Sequence, residues 1–425
     1  MILLLVVLGV LVLLAVRIPV WLALLIPSLV YFLLPGAPTI EQAAPKILGS
    51  LDSFLLVAVP LYVVMGGLAN DSGVTDRVYG FAQAALARLR GSLAYVNVAA
   101  SFGFAWMSGT AVADAAGLGK LEVTAMKRHG YDPQFAVGLT AASSLIGPVL
   151  PPSIPAVLYA LTAGVSLGGM LIAGIGPALV ITLGLVAYVW WRMRKRDDLR
   201  NERATPRQVA RAALLALPGL VAPVILVGGI LGGVFTPTES AAVAVAYMLL
   251  LGFVTRKLTF KALWQTTVSA AETTGAALLI VGTSAVFGYV VALEGGPRVI
   301  AEALTTLTDN PVIFLLIVNV FLLIAGTVLE PAAGLLILTP VLLPVAIEFG
   351  IDPLHFGVVM IFNLLIGLVT PPVGLILFAL SSATGLSLKT VIRGTLPTFV
   401  PLSAALLVIT YLPPVTLFLP RLLGF

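Results

Sequence analysis

Four short segments interrupt the long apolar stretches of this chain with glycine, proline and hydroxyl residues. They are Ser108-Gly109-Thr110, Gly147 to Pro152, Gly326-Thr327 and Gly367 to Pro372. A proline inside a helix removes a hydrogen bond and costs about 3 kcal/mol, so a regular helix does not continue through the paired prolines. Apolar surroundings cannot satisfy the freed carbonyl groups. Such carbonyls suit a hard cation such as Na⁺, whereas the N-termini of half-helices suit an anion.

Side chains at these breaks add to the oxygen atoms that the backbone offers. Hydroxyl groups are neutral ligands, and a carboxylate in an apolar segment costs at least about 2.5 kcal/mol, so it indicates a function. The predicted cation ligands are Ser108, Gly109, Thr110, Asp114, Gly147, Pro148, Gly326, Thr327, Glu330, Gly367 and Thr370. The predicted substrate contacts are Ser108, Thr110, Ser153, Thr327, Asn363 and Pro371.

Both carboxylates also have a structural interpretation. Thr327 and Glu330 have the spacing of a capping box, and Pro331 follows near the first helical position. Asp114 could complement the N-terminus of a half-helix. The sequence leaves both interpretations open, so each carboxylate either binds an ion or supports the segment beside it.

The remaining polar residues of the apolar stretches do not form a catalytic group. Lys120 and Glu122 are expected near a water-exposed helix end. Glu239, within Thr236-Pro237-Thr238-Glu239, is typical of a helix start. His129 and His355 have no carboxylate partner at a usable spacing, so the sequence does not favour an intramembrane enzyme. A channel would not account for breaks that occur in matched pairs.

The composition places most of the chain in lipid. Of its 425 residues, 60% are hydrophobic and 10% are charged, with a mean hydropathy of +1.12. Soluble domains have about 25% charged residues. Long, non-alternating apolar runs exclude a β-barrel. We therefore predict an all-α polytopic membrane protein, in which the basic residues lie in loops and need no nucleic-acid partner.

The apolar runs predict about ten membrane spans and two further stretches of a different kind. The predicted spans are 1–16, 19–35, 53–69, 134–163, 168–191, 212–233, 238–254, 275–293, 354–384 and 395–418. The stretches 93–126 and 311–346 are each interrupted in the middle. Basic residues flank the first at both ends, whereas acidic residues flank the second, so we predict two re-entrant helical hairpins that enter from opposite sides. This topology places 19 of the 23 basic residues in the cytoplasm, including all eight in loop 192–211.

The two halves of the chain repeat one pattern. A Gly-Thr pair, a Gly-x-Asp-Pro segment, an Ile-Gly before two prolines and a Gly-x-Ser-Leu segment recur at offsets of 217 to 221 residues. Because the flanking charge changes side, the repeat is inverted, as in secondary transporters. The predicted units are scaffold helices 1–69, a first repeat core 70–167, scaffold helices 168–293 with loop 192–211, a second repeat core 294–390, and a C-terminal helix within 391–425. Each core holds an arm helix, a hairpin and a broken helix, the latter at 134–163 and 354–384.

Several motifs together resemble the large membrane subunit of TRAP (tripartite ATP-independent periplasmic) transporters, the DctM-like subunit. They are Met107 to Gly117, Met126 to Pro133, Ile146 to Ser153, Thr236 to Glu239 and Asn363 to Gly374. The resemblance covers essentially the whole chain. Thr110 stands where the family usually has Ser, and Glu330 stands where it usually has Asp.

The resemblance implies an elevator-type, Na⁺-coupled importer of a small carboxylate in the bacterial inner membrane, with two or more Na⁺ ions per cycle. It also implies two protein partners, namely a periplasmic substrate-binding protein and a small four-helix membrane subunit on a separate chain. The alternative that remains open is a stand-alone organic anion carrier of related architecture, driven by protons or Na⁺ without a binding protein.

The topology can be tested with single cysteines, because the chain has none of its own. We expect a cysteine at Glu348 to react with an impermeant reagent in right-side-out vesicles, and a cysteine at Asn201 to remain unlabelled. The reverse result would show that the orientation is inverted and that the two hairpins exchange sides.

Overall fold

Every regular element in the described part of the chain is a helix. The computed structural model describes residues 2–16, 18–196, 199, 204–306 and 308–425. The basic residues Arg17, Arg200 and Arg203, and the labelling position Asn201, lie outside the described residues. The predicted all-α class is therefore confirmed for the ranges that the structure describes.

The helices follow the apolar runs of the sequence and end at glycine, proline or polar residues. In chain order they are α1 (Ile2–Ala15), α2 (Val20–Phe32), α3 (Ala43–Leu51), α4 (Ala58–Asp71), α5 (Val74–Leu86), α6 (Ser92–Ser108), α7 (Ala111–Arg128), α8 (Pro133–Ser143), α9 (Ile154–Ala163), α10 (Leu167–Ala173), α11 (Ile175–Met193), α12 (Pro206–Leu231), α13 (Pro237–Val254), α14 (Phe260–Leu293), α15 (Gly296–Thr305), α16 (Pro311–Gly326), α17 (Pro331–Glu348), α18 (Pro353–Gly367), α19 (Leu375–Thr384), α20 (Leu388–Thr395), α21 (Phe399–Tyr411) and α22 (Pro414–Leu422).

Seven helical segments of the described chain are long and apolar enough to cross a membrane. They are Phe54–Asp71, Leu167–Met193, Pro206–Leu231, Pro237–Val254, Phe260–Leu293, Pro331–Glu348 and Leu388–Tyr411. Shorter apolar helices include both halves of the second broken helix, α18 and α19. A half-helix cannot span the roughly 30 Å hydrocarbon core alone. Two paired half-helices must therefore be counted together as one membrane span, as the sequence predicted.

Each of the two interrupted stretches forms a helix, a tight connection and a second helix. In the first, Gly109 adopts a φ of 64° and ends α6, and the Thr110 hydroxyl accepts a hydrogen bond from Ala113 N to begin α7. In the second, Glu330 caps α17 and Pro331 occupies its first turn. The stretches 93–126 and 311–346 thus correspond to α6–α7 and α16–α17.

The two proline-rich segments break their helices as expected. The first lies between α8 and α9, and the second between α18 and α19. Pro151-Pro152 and Pro371-Pro372 each have a cis peptide bond. The Gly-x-Asp-Pro segments start the broken helices, because Asp132 and Asp352 are their N-caps and accept hydrogen bonds from backbone N–H groups.

The two repeats interlock rather than pack as separate bodies. The hairpin helix α7 packs on α19 of the other repeat, and α17 packs on α9 in the equivalent way. The broken helix α8 packs on α20, and α18 packs on α10. Each repeat therefore buries its hairpin and its broken helix against the other copy.

Two predicted spans differ from the structure in their bounds more than the others do. The run 275–293 is only the C-terminal part of α14, which has 34 residues and is about 51 Å long. The polar residues in the first half of α14 kept the sequence from predicting its full length. Glu272 lies exposed in that half. The predicted C-terminal span 395–418 ends instead at Tyr411, because Pro413 and Pro414 start the separate helix α22.

A very close helix contact joins α8 to α20 through two glycines. A Cβ atom on Gly138 would lie 1.9 Å from the Gly394 carbonyl oxygen. A Cβ atom on Gly394 would lie 2.1 Å from the Gln134 carbonyl oxygen. Both obstacles are backbone atoms, which cannot move aside as a flexible side chain could. The two helices can therefore come this close only because glycine stands at both positions.

We expect Gly138→Ala to lower the free energy of unfolding by about 1–3 kcal/mol, the usual cost of overpacking. Thermal unfolding in mild detergent measures the effect. Gly275→Ala is the matched control, since no atom lies within 4 Å of its Cβ position and alanine favours a helix. Equal unfolding temperatures for the two variants would contradict the contact.

Candidate functional site

The tip of the first hairpin lies against the first helix break. A Cβ atom on Gly109 would come within 2.8 Å of the Pro152 carbonyl oxygen. Next to it, Ser108 is only 2% exposed, and its hydroxyl has no hydrogen-bond partner in the described part of the chain. A buried hydroxyl without a partner is unusual and indicates a polar ligand.

Three oxygen atoms converge beside Gly147. Ser108 Oγ, the Ser144 carbonyl oxygen and the Thr110 carbonyl oxygen each lie 3.4 Å from the position that a Cβ atom of Gly147 would occupy. Neutral oxygen ligands from a hydroxyl and two carbonyls suit a hard monovalent cation. The structure thus brings together predicted residues from the tip and the break. It also adds Ser144, which has no motif that would have identified it.

Asp114, on α7, is the charged residue closest in sequence to this oxygen cluster. It is 1% exposed, and neither of its carboxylate oxygens has a hydrogen-bond partner in the described part of the chain. The Ser101 hydroxyl lies near it but donates to Ser143 Oγ at 3.1 Å. Asp114 lies in the first turn of α7, whose N-cap is Thr110, so it is placed to complement that helix N-terminus, and the ion-binding interpretation also stays open.

At the second hairpin tip, backbone atoms contact the backbone of the second helix break directly. A Cβ atom on Gly367 would lie 2.1 Å from the Gly326 carbonyl oxygen. The Thr327 hydroxyl donates to the Ile324 carbonyl at 2.8 Å, and the Thr370 hydroxyl donates to the Ile366 carbonyl at 2.7 Å. The capping-box interpretation was wrong, since Glu330 itself is the N-cap and accepts a hydrogen bond from Ala333 N.

A cavity of about 250 Å³ lies between the two tips. Its lining includes the first residues of four helices, namely Ala111 of α7, Ile154 of α9, Pro331 of α17 and Leu375 of α19. One long wall comes from α14, including Thr273. The only charged side chain among the described lining residues is Glu330.

This arrangement can hold an anion without a basic side chain. The N-terminus of each helix carries a partial positive charge and N–H groups that have no partner within the helix. Four such ends face one mostly apolar cavity, where their field is screened less than in water. The sequence predicted half-helix N-termini but not that all four would meet, nor that α14 would close the space.

The predicted substrate contacts divide into two groups. Thr110 lines the cavity, whereas Ser108, Ser153, Thr327, Asn363 and Pro371 are not among its described lining residues. Ser153 is the N-cap of α9 and accepts a hydrogen bond from Ala156 N. The Asn363 amide donates to Asn319 Oδ1 at 2.8 Å, which joins α18 to α16. In this conformation these two residues support the broken helices.

Glu122 is placed differently from its prediction. It is 1% exposed rather than near water, whereas Lys120 is exposed. By contrast, the helix start predicted at Glu239 is confirmed, since Thr236 and Glu239 form a capping box at α13.

Comparison with known proteins gives consistent matches over nearly the whole chain. The sequence model of the family described as "Tripartite ATP-independent periplasmic transporter, DctM component" matches residues 7–415. The sialic acid TRAP transporter large permease protein SiaM of Vibrio cholerae is 41% identical over 97% of this chain and 97% of that protein. The C4-dicarboxylate TRAP transporter large permease protein DctM of Pseudomonas aeruginosa is 37% identical over 92% of each chain.

Two further matches concern length and fold. The sialic acid TRAP transporter permease protein SiaT of Haemophilus influenzae is 37% identical over 97% of this chain but only 67% of that protein. The crystal structure of the YdaH transporter of Alcanivorax borkumensis superimposes with a TM-score of 0.64 and 18% identity, covering 92% of this chain and 95% of that one. At this identity the match shows a shared fold.

Proposed function

Since this chain belongs to the DctM family of TRAP transporters, and is a multi-span permease subunit rather than an enzyme, we propose that it imports a small organic acid by Na⁺-coupled transport. The observation that carries this proposal is the cavity onto which the N-termini of α7, α9, α17 and α19 converge. A carboxylate is the ligand that these four ends suit.

The helix N-termini can stabilise a bound anion by a sufficient amount of free energy. One helix N-terminus stabilises an anion by about 0.3–1 kcal/mol when exposed, and by up to about 2 kcal/mol when partly buried. The α17 end already holds the Glu330 carboxylate, so the other three ends together supply about 1–6 kcal/mol without a fixed counter-ion. A site built in this way releases its anion more readily than one built on a buried arginine, which suits a transporter that must let its substrate go.

The oxygen cluster at the first tip supports coupling to Na⁺. Ser108 Oγ and the two carbonyl oxygens around Gly147 would bind the ion, and the buried Asp114 carboxylate would add a negative charge nearby. An anionic substrate and a cation then enter adjacent parts of one domain and offset each other's charge. The repeat gives Gly326 and Gly367 the equivalent place for a second ion, beside Glu330.

The packing supports an elevator, in which a mobile domain holds both hairpins and both broken helices. These elements interlock through the α7–α19 and α9–α17 contacts, so they would move as one body. The α14 helix, at about 51 Å, borders the cavity and would belong to the fixed scaffold. We propose that a separate small four-helix subunit holds this scaffold in the inner membrane, in a one-to-one complex, and that a periplasmic binding protein delivers the substrate.

Two relatives name the first substrates to test. Their printed names specify sialic acid and C4-dicarboxylates, and both are carboxylates. We expect the chain, reconstituted in proteoliposomes with its small subunit, to take up a radiolabelled carboxylate from this class only when Na⁺ and the loaded binding protein are present outside. Uptake by the chain alone would instead identify a stand-alone carrier. Uptake in Na⁺-free buffer with a proton gradient would exclude Na⁺ coupling.

Binding of Na⁺ to the oxygen cluster beside Gly147 can be tested separately. In Gly147→Ala the added methyl group makes contacts no closer than 3.4 Å, so the fold should tolerate it, yet it occupies the space on which the three oxygens converge. We expect the rise in unfolding temperature on adding Na⁺ to become smaller. The Na⁺ concentration for half-maximal uptake should increase about tenfold, which corresponds to about 1.4 kcal/mol of binding free energy.

Ser166→Ala is the matched control for this experiment. It removes the N-cap of α10, away from the oxygen cluster and the cavity lining, and should cost about 1 kcal/mol of stability with no change in the Na⁺ requirement. If Gly147→Ala retains the wild-type response to Na⁺, the cation does not bind at this cluster.

A further inference from the structure

A second group of polar side chains lies inside the first hairpin, away from the tip and the cavity. It connects α6, α7 and α8, and each member is at most 1% exposed: Asn97, Ser101, Asp114, Glu122, Thr140 and Ser143. Asn97 is its centre, with contacts to Glu122, Thr140 and Ser143. Apart from Asp114, the cation and substrate sites use none of these residues.

Glu122 is buried in surroundings that do not neutralise a carboxylate. Its Oε1 atom has no hydrogen-bond partner, and the carboxyl group forms no ion pair in the described part of the chain. The helices packed on α7, namely α6, α8 and α19, contain no Asp, Glu, Lys, Arg or His. A buried carboxylate without a cation is strongly disfavoured.

The titratable groups near Glu122 are themselves acids. Asp114 faces it from the same helix. Tyr79 faces it from α5, with Tyr131 beside that tyrosine. None of these groups supplies a positive charge. Because α6, α8 and α19 offer no cation and Lys120 of α7 is exposed, a bound proton is the simplest way to neutralise Glu122.

The heavy-atom distances around Asn97 indicate which of its neighbours donate a hydrogen bond and which accept one. With the amide as placed, Asn97 Nδ2 is 2.6 Å from Glu122 Oε2 and 2.7 Å from Thr140 Oγ1, while Asn97 Oδ1 is 3.0 Å from Ser143 Oγ. Bonds from O–H to O are typically 2.7–2.8 Å, and those from N–H to O about 2.9–3.0 Å. The two short contacts therefore match an oxygen acceptor, and the longer one matches a nitrogen donor.

Rotating the Asn97 amide by 180° exchanges its nitrogen and oxygen and satisfies this pattern. Asn97 Oδ1 then accepts from a protonated Glu122 Oε2 and from Thr140 Oγ1, and Asn97 Nδ2 donates to Ser143 Oγ. Ser143 still donates to the Thr140 carbonyl at 3.2 Å and accepts from Ser101 at 3.1 Å. The hydrogens of the Glu122 carboxyl and of the Thr140, Ser143 and Ser101 hydroxyls then each have an acceptor, as does one of the two hydrogens on Asn97 Nδ2.

We infer that Glu122 is a proton-binding site, which holds a proton at neutral pH and donates it in a hydrogen bond to Asn97 Oδ1. The first hairpin then carries one negative charge, on Asp114, instead of two. One monovalent cation at the adjacent tip is enough to balance it. The proton is thus a second ligand of this hairpin, at a position separate from the oxygen cluster at Gly147.

Infrared difference spectroscopy of the full-length protein with its small subunit tests this inference directly. At pH 7 the wild-type minus E122Q spectrum should contain the carbonyl-stretching band of a protonated carboxylic acid, and this band should shift in D₂O. The D114N variant should retain the band. E272Q is the matched control, because Glu272 is exposed and its removal should affect only carboxylate bands.

The inference is overturned if removing Glu122 changes carboxylate bands alone. Should E122Q fail to fold, N97L provides a second test in which Glu122 is still present. Loss of the acceptor should move the acid band to higher frequency, and an acid band that stays in place in N97L would equally exclude the Asn97 hydrogen bond. Neither measurement depends on transport, so the result stands apart from the proposed function.

Discussion

The requirement that every backbone polar group find a partner away from lipid governs this structure. A helix break inside the membrane exposes carbonyl and N–H groups, and each one left unpaired costs several kcal/mol. The protein meets this requirement by placing each hairpin tip against a break, Gly109 against Pro152 and Gly326 against Gly367. Glycine is needed at these contacts because a Cβ atom would collide with backbone atoms.

The same requirement leads to the functional geometry. Once the breaks are buried against the tips, four helix N-termini point inward and their partial charges add. The oxygen atoms that remain unpaired, including Ser108 Oγ, are then available to a cation. We propose that the polar groups that would destabilise a simple helical bundle serve as ligand groups here, because they are collected in one place and shielded from lipid.

The two repeats solve this problem with different chemistry. In the second, the Thr327 and Thr370 hydroxyls donate to carbonyls of their own helices, and Glu330 caps α17. In the first, Ser108 and Asp114 are buried without partners in the described chain. Similar backbones thus present unequal sites, and the buried network around Glu122 occurs within the first hairpin.

The sequence by itself determined the all-α membrane class, the two interrupted stretches and the two broken helices. These features follow from local rules, since apolar length, paired prolines and Asp-Pro helix starts act over a few residues. The repeat offset also identified which breaks are equivalent. Local rules did not give the length of α14, because the polar residues of its first half lower its hydropathy without preventing a helix.

Only the tertiary structure decided which polar groups meet. Ser144 joins the oxygen cluster because the break of α8 folds back to the tip, and no motif encodes that approach. Glu122 was expected near water, yet the packing of α6, α8 and α19 on α7 encloses it. Burial and convergence are properties of helices from distant parts of the chain, so spacing within one helix cannot predict them.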